Sequence, residues 1–244
     1  MRPVPPLPSR IAGISVPDDD ISAATWSWAH RALPDYLLSH SVRAYCWGAA
    51  IAAGEGWAFD RQLLWTASLM HDYGLTRIRR NSTCFEVEGG EIARRFLERQ
   101  GMTADRADVV ARAIVLHMQP SVEMGDGIEA VLLDRSTSLD VRGVGYELVD
   151  AVRPRVMADF PRRAFDRHFI AALRTEAALR PTCQSARLVE KTDLARWMVR
   201  SPWAAGSGDP DRVQGTPGIV RFDPAVDAVA IGERRDREQD QEQE

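Results

Sequence analysis

Lysine is almost absent from this chain: Lys191 is the only one among 31 basic residues, and the rest are arginine. Such a skew is what a GC-rich coding sequence produces, and it leaves arginine as the only long cation near any site formed before Lys191. Cysteine is scarce too. Cys46, Cys84 and Cys183 form no CxxC pair and leave an odd one over, which points to free thiols in a reducing compartment. That pattern excludes a disulfide framework and a sulfur-ligated zinc. There is no excess of positive charge: the net charge is −4 and the pI about 5.8, so nothing favours a phosphate backbone as partner. No run of about 18 apolar residues occurs, so no membrane-spanning helix is expected. Prolines interrupt the stretch from Arg2 to Arg10, where a secretory signal would need an apolar core. The expectation is a soluble cytoplasmic protein that takes a small-molecule substrate and binds neither nucleic acid nor membrane.

What is present is ordinary globular material, 45% hydrophobic and 27% charged, enough for one domain with extensions. The first 25 residues are rich in Pro, Ser and Asp and read as a loose N-terminal extension. Helical spacing then dominates over 26–195. One helix starts at Pro34 and ends near Gly54 to Gly56; a second runs from Asp60, a suitable N-cap, to about Gly74. Others are expected over 86–100, from Thr103 to His117, over 128–139, over 146–157 and over 163–179, with Gly101 and Pro120 as stops. Branched residues suggest a short strand pair only at 218–222 and 225–231. The segment 196–244 reads as a C-terminal extension whose charged end, 233–244, cannot bury enough apolar surface to fold. The fold class is all-α, with irregular ends.

Five histidines occur, at 30, 40, 71, 117 and 168. A lone histidine on a half-apolar helix is usually a hydrogen-bonded core residue. The adjacent pair His71-Asp72 differs, because it closes an apolar helix just before Gly74. A carboxylate buried there without a partner would cost several kcal/mol. A divalent cation is one such partner, and imidazole with carboxylate suits zinc, iron or manganese.

The order His40, His71-Asp72, Asp140, each in or at the end of a helix, resembles the H…HD…D pattern of the HD-domain superfamily. The run Leu33-Pro34 through His40-Ser41-Val42-Arg43 resembles the cyanamide hydratase-like branch of that superfamily. So do Leu69-Met70-His71-Asp72-Tyr73-Gly74, Phe85-Glu86 with Gly89-Gly90, Ala113 to His117, Thr137-Ser138-Leu139-Asp140, and Phe160-Pro161-Arg162. Together they span Leu33 to Leu179, about three-fifths of the chain. The branch commonly has Asp-Asn-Val-Gly at the last ligand, where this chain has Asp140-Val141-Arg142-Gly143.

The resemblance implies an HD-type helical bundle around one divalent metal ion, zinc first and iron or manganese after it. Its ligands are then His40, His71, Asp72 and Asp140. It implies a metal-dependent hydratase or hydrolase in which metal-activated water attacks a nitrile-, cyanamide- or amide-like substrate. His117 is placed as a substrate contact and Glu86 as a proton shuttle or substrate-orienting group. Arg43, three residues after His40, either binds a polar substrate group or pairs with Asp35 or Glu86 as a clamp. His30 and His168 read as surface or packing residues, and Trp47, Trp57 and Trp65 as core. Other readings are a nucleotide phosphohydrolase, which would draw on Arg77, Arg79 and Arg80, a di-iron oxygenase lacking an evident sixth ligand, and a non-catalytic binding module. An exposed Trp203 would suit a homodimer.

Overall fold

The computed structural model describes residues 3–76, 82–191 and 194–205. Near the N-terminus Arg10–Ile11 (β1) and Ile14–Ser15 (β2) pair antiparallel around Ala12-Gly13. Both turn residues have positive φ, 51° and 89°, which matches the twist of a two-residue hairpin. Everything else regular among the described residues is helical, as the periodicity predicts.

Helix α1, Asp20–Ala32, begins where Asp19 accepts a hydrogen bond from the Ser22 amide at 2.9 Å. It lies partly within the stretch read as loose extension. Its Thr25, Trp26 and Ala29 are buried, and Trp26 donates through Nε1 to the Pro5 carbonyl. The Ser- and Asp-rich composition that suggested a loop is cap chemistry on a packed helix.

Helix α2, Asp35–Glu55, follows Pro34 and ends at left-handed Gly56. Leu37, Val42, Tyr45, Trp47 and Ile51 are all buried, so α2 is the axis of the bundle. Helix α3, Arg61–Met70, starts at Asp60, whose carboxylate takes the Gln62 and Leu63 amides as its cap. Helices α4 (Phe85–Arg99), α5 (Ala104–Leu116) and α6 (Ile128–Arg142) follow; α4 packs on α5, α5 on α3 and α6, and α6 on α2. The predicted helix over 146–157 is instead a 3-10 turn at Tyr146–Val149 followed by α7, Arg153–Asp159, with Pro154 in its first turn. Helix α8, Phe165–Leu179, crosses α2, and α9 (Gln184–Lys191) and α10 (Leu194–Arg200) complete the described core.

Two expectations are corrected. Cys84 and Cys183 are joined by a disulfide across 99 residues, so only Cys46 is a free, buried thiol. Trp203 is 3% exposed rather than a surface patch: it stacks on Trp47 at 5.8 Å and donates to the Leu139 carbonyl. Packing therefore continues past residue 195. The candidate strands and the charged tail lie outside the described residues. Among the described residues no helix is long and apolar enough to cross a membrane.

Candidate metal centre

His40 stands one turn into α2, and all of its neighbours on that helix from Ser39 to Gly48 are buried. His71 is the C-terminal cap of α3 and Asp72 follows it, before the 3-10 turn Tyr73–Thr76. The chain must leave α3 there without room for a side chain at residue 74. A Cβ on Gly74 would stand 2.1 Å from the Phe85 carbonyl oxygen, so glycine lets the start of α4 close directly onto the His-Asp turn.

His40, His71 and Asp72 are each 2% exposed or less, and their ligand atoms converge. Nε2 of His40 lies 3.1 Å from Nε2 of His71 and 3.4 Å from Oδ2 of Asp72; His71 Nε2 lies 3.3 Å from the same oxygen. The other ring nitrogens settle what these contacts are. His40 Nδ1 donates to Asp140 Oδ2 at 2.7 Å, and His71 Nδ1 donates to the Ser68 carbonyl at 2.8 Å. His117 Nδ1 donates to the Ile114 carbonyl. Each neutral imidazole is thereby held in the tautomer whose Nε2 carries a lone pair. Two lone-pair nitrogens then face each other beside a carboxylate oxygen, Asp72 Oδ2, that makes no hydrogen bond among the described residues. Acceptors packed this way repel unless a cation stands among them, so this donor set fits a divalent metal.

The charges agree. Burial pushes the Asp72 carboxyl up, but the facing imidazoles of His71, His117 and His40 outweigh it and hold it well below the usual range. Burial pushes His40 down, but Asp140 and Asp72 outweigh that and raise it above its ordinary value. The spot favours positive charge, whether a proton or a metal supplies it.

Asp140 stands behind His40 rather than beside Asp72. Its Oδ1 accepts from Arg43 Nε at 2.7 Å and Trp47 Nε1 at 2.8 Å; its Oδ2 accepts from Arg43 Nη2 and from His40. Burial alone would raise it; the Arg43 guanidinium and then His40 hold it well below the usual carboxylate range. Asp140 is thus the partner that orients His40, and the three-residue cluster forms without it. Arg43 is fully buried and pairs with neither Asp35 nor Glu86: its remaining nitrogen donates to the Phe160 and Pro161 carbonyls. It is a clamp whose four hydrogen bonds all go to protein acceptors.

His117 ends α5 with its Nε2 3.7 Å from Asp72 Oδ1 and its ring centroid 5.0 Å from that of His71. Glu86, in the first turn of α4, is 2% exposed, and its Oε2 makes no hydrogen bond among the described residues. Burial raises its carboxyl, opposed by its own amide and by the charge of His117. His117 therefore sits at the edge of the cluster, and Glu86 is buried at the start of α4. His30 bonds the Trp26 carbonyl and packs on its ring, away from the centre.

Three contributors escaped the sequence reading. Phe165 stacks on His40 at 4.5 Å, Trp47 bonds Asp140, and Arg162 donates to the Asp140 carbonyl at 2.8 Å. Only the Phe160-Pro161-Arg162 match hinted at this wall. Between Arg162 and Phe165 the chain takes left-handed conformations at Arg163 (φ 51°) and Ala164 (φ 54°), a strained pair of non-glycine residues. The strain lets consecutive turns deliver Arg162 to Asp140 and Phe165 to His40.

The family model for the HD domain matches residues 37–150, which contain His40, His71, Asp72, Glu86, His117 and Asp140. Two curated proteins of Saccharomyces cerevisiae, the cyanamide hydratases DDI2 and DDI3, are each 26% identical to the chain. The match covers 73% of this chain and 82% of each relative.

Proposed function

We propose that this chain is an HD-domain enzyme that adds water to a small polar substrate of the nitrile, cyanamide or amide type. The observation that carries the proposal is the set of lone pairs at His40 Nε2, His71 Nε2 and Asp72 Oδ2, each imidazole locked by a hydrogen bond on its far side. A carboxylate with neutral imidazoles suits zinc, with iron or manganese as the alternatives, and such an ion when bound polarises a substrate and lowers the pKa of water. His40, His71 and Asp72 would hold it, with Asp140 orienting His40 or swinging in as a further ligand.

The chain's own residues supply the rest. Hydration of a nitrile carbon joins water's oxygen to carbon and moves its protons to nitrogen, so a group must accept one proton and return it. Glu86 Oε2 is buried, has no hydrogen-bond partner among the described residues and is shifted towards the neutral range, the condition for passing a proton in both directions. His117, with Nδ1 committed to Ile114, offers Nε2 to the substrate side of Asp72. The buried surroundings exclude bulk water and strengthen each of these interactions.

The test pairs elemental analysis of the purified protein with assays of small nitriles, cyanamides and amides beside a nucleotide panel. One zinc per chain and hydration abolished by Asp72→Asn are expected. Phosphate release from nucleotides, with no hydration by the metal-loaded protein, would replace this reading by a phosphohydrolase.

A further inference from the structure

Tyr36 has no role in the site described so far. It lies in the first turn of α2, four residues before His40, and so on the same helical face. Its ring is held on two sides. It stacks on His168 of α8 at 4.9 Å, and it meets Phe165, the ring that itself covers His40, at 6.4 Å. The residue is half-buried, and its hydroxyl makes no hydrogen bond among the described residues. The ring contacts place Tyr36 beside Phe165, on the side of His40 that this ring covers.

A half-buried phenol with a fixed ring and no protein acceptor for its O–H is free to donate to solvent or to a bound molecule. Of the other polar groups around the cluster, Arg43, Arg162 and His40 are engaged with Asp140, whereas His117 keeps its Nε2 open on the side of Asp72. Resting on the hydratase reading above, we propose that Tyr36 is a substrate-contacting residue whose hydroxyl donates to an acceptor atom of the small substrate, with His168 as the aromatic support of its ring. The substrate class is narrowed accordingly. It carries an acceptor, such as a nitrile or cyanate-type terminus or a carbonyl oxygen, within reach of Tyr36 while its other end is at the cluster. His168 is then a positioning residue and not a chance surface histidine.

The test uses the full chain loaded with cobalt(II), whose visible spectrum reports on its ligands, and cyanate and azide as probes. Tyr36→Phe keeps the ring and its stacking and removes only the O–H. Equal cobalt stoichiometry and an unchanged melting temperature are expected, with cyanate and azide binding about 3- to 10-fold weaker, the loss of one net hydrogen bond. Tyr36→Phe binding both anions as tightly as the parent protein overturns the role of Tyr36 alone. Failure of the parent protein to bind either anion removes the accessible site that Tyr36 is placed to serve, and overturns the proposal with it. Hydration assays on the parent protein report separately on the hydratase reading.

Discussion

His40 Nδ1 donates to Asp140 Oδ2 over 2.7 Å, joining two residues 100 positions apart at the centre of the bundle. The same carboxylate is gripped by both ends of the Arg43 fork, so the tautomer of His40 depends on an ion pair one layer behind it. Asp140→Asn removes that grip. Metal affinity should fall about 10- to 100-fold by competition titration if Asp140 orients His40. Unaltered affinity would mean that the tautomer is set elsewhere.

Arg43 is expected to matter for folding before it matters for catalysis. It is fully buried, and its four hydrogen bonds go to Asp140 and to the Phe160 and Pro161 carbonyls. Arg43→Met leaves Asp140 buried without its cation, and urea unfolding should show a loss of about 3–5 kcal/mol. A variant of full stability that had lost only substrate affinity would restore Arg43 to a binding role.

Metal affinity should rise with pH through and above the ordinary histidine range. His40 is raised above 6.5 by Asp140 and Asp72, so its proton must leave before a metal can use Nε2, whereas Asp72 and Asp140 stay ionised throughout. The sign for the metal-free protein is opposite. A raised histidine contributes stability that is complete below the unfolded pKa and is lost as pH climbs through the folded one. The gain in melting temperature on adding zinc should therefore widen from pH 6 to pH 8; a gain independent of pH would contradict the geometry at His40.

Glu86→Gln keeps the shape of the side chain and removes its ability to take a proton. With metal content unchanged, hydration should slow by about 100-fold or more, as expected for a general acid–base group. The acid limb of the parent pH profile should lie above the ordinary glutamate range, because burial raises this carboxyl. An active Glu86→Gln enzyme would reduce Glu86 to a packing role.

The bond between Cys84 and Cys183 closes a long loop and ties the start of α4, where Glu86 sits, to the turn before α9. Glu176 reinforces the same corner by accepting the Phe85 amide and the Arg180 guanidinium. Cys84→Ser, or reduction by a dithiol, should cost about 2–4 kcal/mol of stability in chemical unfolding. Stability that is the same with and without dithiol would show that the two thiols are not joined in solution.

Local rules carried most of the fold. Asp60, Pro34 and Gly56 begin or end helices where their backbone chemistry requires, and α2 through α6 follow from apolar spacing. Helix α1 escaped because its Asp19 and Ser22 are residues of loops as well as of caps, and α9 and α10 because they are short and depend on packing against α8 and α6.

His40, His71 and Asp72 were legible as a group because buried polar residues at helix ends need partners and their order resembles a known pattern. What each atom bonds to was not legible. A sequence specifies which faces of a helix are apolar, since hydrogen bonding and side-chain spacing within a helix are local. It does not specify which faces meet, so only the tertiary structure decided that Asp140 and Arg43 form the wall behind His40. The same holds for Phe165, which covers that histidine, and for Cys84, which finds Cys183 rather than remaining a thiol. A helical core with a candidate metal site was thus written in the sequence. The hydrogen bonds that orient His40 arise from contacts about 100 residues apart along the chain, made only when α2, α6 and α8 pack together.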